Sequence, residues 1–141
     1  QQPREQLSRA PPTTVCESAP TSGEMTMLDS HFRPLPEGNS DEVRRYLDER
    51  EPESFTLLDV REPWEYRICH LEGSQLIPMG QLAGALNALD PNRETVVICH
   101  HGIRSRQVAM YLQYRGFTQV INLADGIEGW ARHVDLDMAT Y

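Results

Sequence analysis

The stretch VVICHHGIRS, Val96 to Ser105, decides how this chain is read. Val96, Val97 and Ile98 form an apolar run that is hydrophobic on both faces, as in a central strand of a parallel sheet. The run ends in Cys99, passes His100, His101 and Gly102, and reaches Ile103, Arg104 and Ser105, where helical spacing begins. The amino end of a helix carries unpaired N–H groups and about half a positive charge. Thiols placed there ionise readily, and the thiolate is the reactive form. Gly102 allows a tight turn and presents N–H groups without a side chain in the way, so the loop amides can surround one sulfur. Arg104 adds a permanent cation with a planar donor fork. His100 and His101 are expected to carry part of a charge near neutral pH and to donate to an anion. The loop therefore has the outline of a thiolate cradle for a small anionic substrate, with Cys99 as an exposed, low-pKa nucleophile.

Outward from this loop, strands alternate with helical segments. FTLLDV (55–60) is a buried strand that delivers Asp59 and Arg61, QLIPM (75–79) a short strand, and TQVINLA (118–124) a last strand. HFRPLP (31–36) suits an edge strand, where proline is tolerated. NSDEVRRYLDER (39–50) begins a helix with Ser40 as its cap and Val43, Tyr46 and Leu47 on one face. Pro63 suits the first turn of another. GQLAGALNALD (80–90) is helical with Leu82, Leu86 and Leu89 aligned, and SRQVAMYLQYRG (105–116) buries Val108, Ala109 and Leu112. Gly116 and Phe117 fit a left-handed C-cap and its hydrophobic clasp. GIEGWARHV (126–134) is a last helix or turn. The pattern is an α/β domain with a mainly parallel sheet, whose binding site lies beyond the carboxyl ends of the strands. Asp59 and Cys99 arrive at the same edge.

The 141 residues, 39% hydrophobic and 24% charged, fit one domain spanning 31–141. Residues 1–30, rich in Pro, Ser and Thr and without apolar period, read as a flexible extension in which Cys16 has no role. A net charge of -8 argues against nucleic-acid binding, and no apolar run approaches the ~20 residues of a membrane span. Cys16, Cys69 and Cys99 are too few and too scattered for a disulfide framework, so a cytoplasmic location is expected. The first residue is Gln, so the lack of a visible leader carries little weight.

CHHGIRS resembles the CxxGxRS active-site loop of the rhodanese superfamily. LLDVREPWEYRICHLEGSQLIP (57–78) is similar to that family's DxRxxxE, HxxGS and Ile-Pro signature, and GFTQVINLADGIEGW (116–130) to its closing GFxxVxxLxGGxxxW segment. The resemblance covers roughly residues 40–135, with the motifs in the family's order. It departs at Asp125, where the family more often has Gly, which bears on the final turn. The resemblance implies a rhodanese fold of the single-domain type: a five-stranded, mostly parallel sheet with helices on both faces. It also implies a thiosulfate sulfurtransferase working through a Cys99 persulfide, without metal or organic cofactor. Sulfur would pass from a small anionic donor to cyanide, a thiol or a protein cysteine. Tyrosine-type phosphatases resemble this loop but place five residues between Cys and Arg. Here four separate Cys99 from Arg104, a narrower bowl that favours one sulfur over a phosphoryl group. A protein-to-protein persulfide relay needs the same loop and remains an alternative. A small cysteine phosphatase or arsenate reductase is the third.

Around the loop, Asp59 is expected to tie down its strand end by an Asx-type bond. Arg61 has two readings: a cation at the mouth of the site, or a partner for Glu65 four residues on. His70 is expected to orient its segment by a hydrogen bond, with Gly73 and Ser74 as turn residues. Cys69 reads as a buried thiol in preference to a resolving thiol, Trp130 as a packing anchor, and Trp64 as partly buried. Cys99 and its two histidine neighbours do not make a zinc site.

Overall fold

The computed structural model describes residues 36–141. The expected N-terminal extension, Cys16 and residues 31–35 lie outside them. Five strands form one sheet in the order β1-β5-β4-β2-β3: β1 (Glu37–Gly38), β2 (Phe55–Asp59), β3 (Gln75–Leu76), β4 (Glu94–Ile98) and β5 (Val120–Leu123). Every pairing is parallel, so the sheet is the α/β arrangement that alternating strands and helices require. The edge strand β1 begins one residue beyond HFRPLP.

The helices are α1 (Ser40–Asp48), α2 (Pro63–Ile68), α3 (Ile103–Tyr114) and α4 (Gly126–His133), and 3₁₀ turns span Met79–Ala88. The cap of α1 is Asn39 rather than Ser40. Asn39 Oδ1 accepts from the Glu42 N–H at 2.9 Å and Glu42 Oε1 accepts from the Asn39 N–H at 2.9 Å, a complete capping box. Ser40 moves one place into the helix and is buried there. Helix α3 ends as its sequence suggests. Gly116, at φ +99°, donates to Gln113 O, and Phe117 donates to Leu112 O at 2.9 Å, a Schellman closure with Phe117 buried.

Side chains alternate across a strand, which divides the core in two. Leu58, Val60, Val97 and Cys99 face one side, with Val108, Ala109 and Leu112 of α3 and Leu82 and Leu89 of the 3₁₀ segment. Leu57, Val96, Ile98 and Leu123 face the other, with Val43 of α1 and Ile127 of α4. Each fully buried aliphatic side chain contributes about 1.5–3 kcal/mol. The same alternation determines where the chemistry goes: Cys99, two residues past Val97, falls on the α3 side.

Candidate active site

Cys99 follows the last residue of β4, and the chain must then turn sharply to start α3. Gly102 makes the turn at φ +96°, and a Cβ built there would stand 2.1 Å from Ala124 O. The position therefore needs glycine for both conformation and space. The turn aims two amides at the sulfur: Gly102 N–H at 3.1 Å and Ser105 N–H at 3.3 Å. Ser105 Oγ lies 3.3 Å from the same atom. Helix α4 braces the loop from behind. Its first-turn amides at Ile127 and Glu128 donate to Cys99 O at 2.8 Å and His100 O at 3.1 Å, which keeps those carbonyls off the sulfur. Gly126, at φ +67°, permits this approach, because a Cβ there would lie 2.1 Å from His100 O.

Cys99 is not exposed, contrary to the sequence expectation: 1% of its surface reaches solvent. Its strand-end position puts it in the α3-side core, and the polar ring closes over the sulfur. A donor must approach end-on. The rim carries exposed His101 and Ile103, the latter 70% exposed.

Arg61 does not stand at the mouth. It is fully buried, and all five guanidinium N–H donors are engaged. Nε and Nη2 reach Asp59 at 2.9 and 2.7 Å, Nη2 also reaches Cys69 O at 2.7 Å, and Nη1 reaches Glu65 O and the Tyr141 hydroxyl at 3.3 and 3.0 Å. It has no donor left for a substrate, and it meets the backbone of Glu65 rather than the carboxylate. Asp59 Oδ1 also accepts from Arg61 N–H at 3.1 Å, the expected Asx-type tie.

The Glu65 carboxylate belongs to Arg104, held by two parallel bonds of 2.8 and 2.9 Å. Arg104 thus reaches the site already paired, with about a third of its side chain exposed. This pairing, first, holds the Glu65 carboxyl down at about 2, against the opposing effect of burial. The Tyr141 hydroxyl donates to Glu65 Oε2 at 2.8 Å while accepting from Arg61, which links both pairs. Burial, foremost, pushes the Tyr141 phenol up to about 12. Glu65→Gln keeps the shape but loses the ion pair with the part-exposed Arg104, and is expected to destabilise the fold by about 1–2 kcal/mol, the value of charge-assisted bonds discounted for solvent screening. A carboxylate depressed in the fold stabilises it above its unfolded value and stops doing so as pH falls through its folded value. Thermal melts of the wild type should therefore fall with acidification from about 4.5 to about 2, and those of Glu65→Gln should fall less over that range.

His100 is sandwiched between His101, with ring centres 4.0 Å apart, and Tyr141, at 3.9 Å. Burial first, and the neighbouring His101 second, lower its pKa, although Glu128 Oε1 lies 3.4 Å from Nε2. The expected part-charge at His100 is thus reduced, because the ring has left water for the aromatic stack. His70 is exposed, stacked on Tyr66 and bonded through Nδ1 to Tyr66 O at 2.8 Å. Trp64 is 54% exposed, more than its place near a helix start suggested, and packs edge-on against Tyr141. Cys69 is half-buried, and Trp130 packs on the α4-side core. Asp125 does not distort the final turn: its carboxylate accepts from Ser40 Oγ at 2.8 Å, tying the start of α4 to α1. Among the described residues, no group of three His, Cys, Asp or Glu side chains is arranged to hold a metal ion, and no helix is long and apolar enough to cross a membrane.

Sequence reading missed Tyr141, which lies outside every motif. It also missed Asn122, whose signal was a polar residue inside the otherwise apolar strand VINL (120–123).

With this geometry in place, the comparisons are consistent. The model of the rhodanese-like domain family matches residues 39–133, and the chain belongs to that family. It is 41% identical over 78 residues to the putative sulfur carrier protein YrkF of Bacillus subtilis, covering 55% of this chain and 42% of that protein. To the thiosulfate sulfurtransferase GlpE of Pseudomonas fluorescens it is 30% identical over 101 residues, covering 72% of this chain and 86% of that one. The crystal structure of a rhodanese-like domain protein from Staphylococcus aureus superposes with a TM-score of 0.63 at 28% identity, over 68% of this chain and 91% of that one. Some relatives are much longer. The chain spans 42% of YrkF and 26% of the probable adenylyltransferase/sulfurtransferase MoeZ of Mycobacterium tuberculosis.

Proposed function

We propose that the protein is a sulfurtransferase in which Cys99 carries a sulfane sulfur as a persulfide. The observation that carries this reading is the convergence of the Gly102 and Ser105 amides on one sulfur at the start of α3. The Cys99 thiolate attacks the outer sulfur of thiosulfate or a similar donor. A bond forms from Sγ to that sulfur, the S–S bond of thiosulfate breaks, and sulfite leaves with the electron pair. An acceptor (cyanide, a thiol or a protein cysteine) then attacks the outer sulfur and returns the thiolate. Ile103 and Arg104, the first two residues of α3, have amides with no intrahelical acceptor. These amides receive the charge of the outer sulfur, with His101 and the paired Arg104 at the rim, as preorganised donors. The four-residue spacing from Cys99 to Arg104 supports sulfur over phosphoryl chemistry. A reducing compartment, the cytoplasm, suits a thiol that must stay free.

Steady-state turnover with thiosulfate and cyanide tests the reading. Parallel double-reciprocal lines are expected, the mark of a covalent intermediate released before the second substrate binds. A relay between proteins is the second reading, favoured by the exposed Ile103 at the rim and by the likeness to a sulfur carrier. Negligible thiosulfate turnover with rapid persulfide exchange to a carrier protein would select it. Steady hydrolysis of an aryl phosphate, lost in Cys99→Ser, would select a phosphatase instead.

A further inference from the structure

Behind the sulfur lies a second hydrogen-bond chain, buried as far as Asn122. Ser105 Oγ, 3.3 Å from Cys99 Sγ, donates to Asn122 Oδ1 at 2.5 Å. Asn122 is buried in β5, and its Nδ2 donates to Gly102 O and to Glu37 Oε2, each at 3.2 Å. Both groups facing Nδ2 are acceptors, so the amide has only one orientation. Turning it over would set Oδ1 against a carbonyl and a carboxylate with no proton between them, and would point Nδ2 at Ser105. The carboxamide oxygen is therefore locked toward Ser105.

A hydroxyl has one proton. While Asn122 Oδ1 holds it, Ser105 can accept from a Cys99 S–H but cannot donate to a Cys99 thiolate, and its lone pairs face the sulfur. A negative charge on Sγ must either tolerate that oxygen or break the 2.5 Å bond. A persulfide removes the conflict, because its Sγ is a neutral divalent sulfur and the charge moves one atom outward. We propose that Asn122 is a positioning residue that withholds the Ser105 proton from Cys99 and so biases the site toward the persulfide over the bare thiolate. The bias in favour of the persulfide rests on the sulfur-transfer reading above. The withheld proton does not.

The charged groups around Cys99 are Arg104 with Glu65 from α2, His100 and His101 on the loop, Glu128 of α4 beside His100, and Glu37 with Arg106 behind Asn122. Of these only Glu37 bonds Asn122, and its loss of that bond, like that of Gly102 O, is the same in a Ser105→Ala background, so the comparison across the two backgrounds isolates the proton. The experiment is the pH profile of iodoacetamide alkylation at Cys99, read by peptide mass, for wild type, Asn122→Ala, Ser105→Ala and the double variant. In Asn122→Ala, Ser105 is free to donate to the thiolate. A hydrogen bond to a charged group corresponds to about a tenfold effect, so the profile midpoint should fall by about one pH unit. In the Ser105→Ala background the same substitution should move nothing, since the proton is gone. The ratio of persulfide to thiol at fixed thiosulfate and sulfite should drop about tenfold in Asn122→Ala. An unchanged midpoint in a folded Asn122→Ala protein, or a shift that survives in the Ser105→Ala background, overturns the proposal. Asn122→Leu, which keeps the branched outline without donor or acceptor, is read by the same criteria if the alanine variant does not fold. Alkylation needs no sulfur donor. An alkylation shift without any persulfide would therefore condemn the sulfur-transfer reading alone, while persulfide without the shift would condemn the role of Asn122 alone.

Discussion

Cys99→Ser is expected to abolish thiosulfate-to-cyanide turnover, a fall of at least about 10³-fold, because the covalent route disappears with its nucleophile. The fold should survive. Serine is nearly isosteric, and the Gly102 and Ser105 amides that now face Sγ at 3.1 and 3.3 Å can face a hydroxyl instead. A thermal melt close to that of the wild type, together with lost turnover, separates chemistry from stability. Cys69→Ser should leave turnover unchanged: Cys69 is a half-buried thiol at the end of α2, and no loop amide is directed at its sulfur.

The second large effect is expected at Gly102. In Gly102→Ala the new methyl carbon would stand 2.1 Å from Ala124 O and 2.7 Å from its carbonyl carbon, at φ +96°. Those atoms are backbone between β5 and α4, so no side chain can move aside. Either the turn opens or the β5–α4 junction shifts, and each withdraws the Gly102 amide from the sulfur. Strain of this kind costs about 1–3 kcal/mol for the backbone conformation alone, and the steric overlap adds to it. A loss of about 3–5 kcal/mol in chemical denaturation is expected. Loss of one preorganised donor should lower kcat by about 10²-fold in whatever protein remains folded. Gly116→Ala is the control. It shares a positive φ of 99° but has nothing within 4 Å of the added carbon, so it should cost about 1 kcal/mol and leave kcat alone.

The nucleophilic loop was legible in the sequence because its information is local. An apolar strand, a cysteine, a glycine and a helix start are consecutive, and alternation along β4 alone decides which face Cys99 takes. The Schellman closure at Gly116 was legible for the same reason. What escaped depends on chain segments far apart in sequence. Arg61 and Glu65 look like a helical ion pair at four-residue spacing. Their partners are instead Asp59 and Arg104, the latter 39 residues from Glu65. No local pattern announces that Tyr141 links the two pairs from 76 residues away. The cap of α1 went to Asn39 rather than Ser40 because Ser40 is claimed by Asp125, 85 residues on. The buried state of Cys99 escaped too: reactivity suggested exposure, but the ring of amides that activates a sulfur also encloses it.

The most direct measurement of the central claim is peptide-resolved mass analysis after incubation with thiosulfate and removal of excess donor. One added sulfur atom on Cys99, released by cyanide, with Cys69 and Cys16 unmodified, is the predicted result. Sulfur found on Cys69 or Cys16 instead, or an unmodified Cys99 in folded protein at saturating donor, would contradict it.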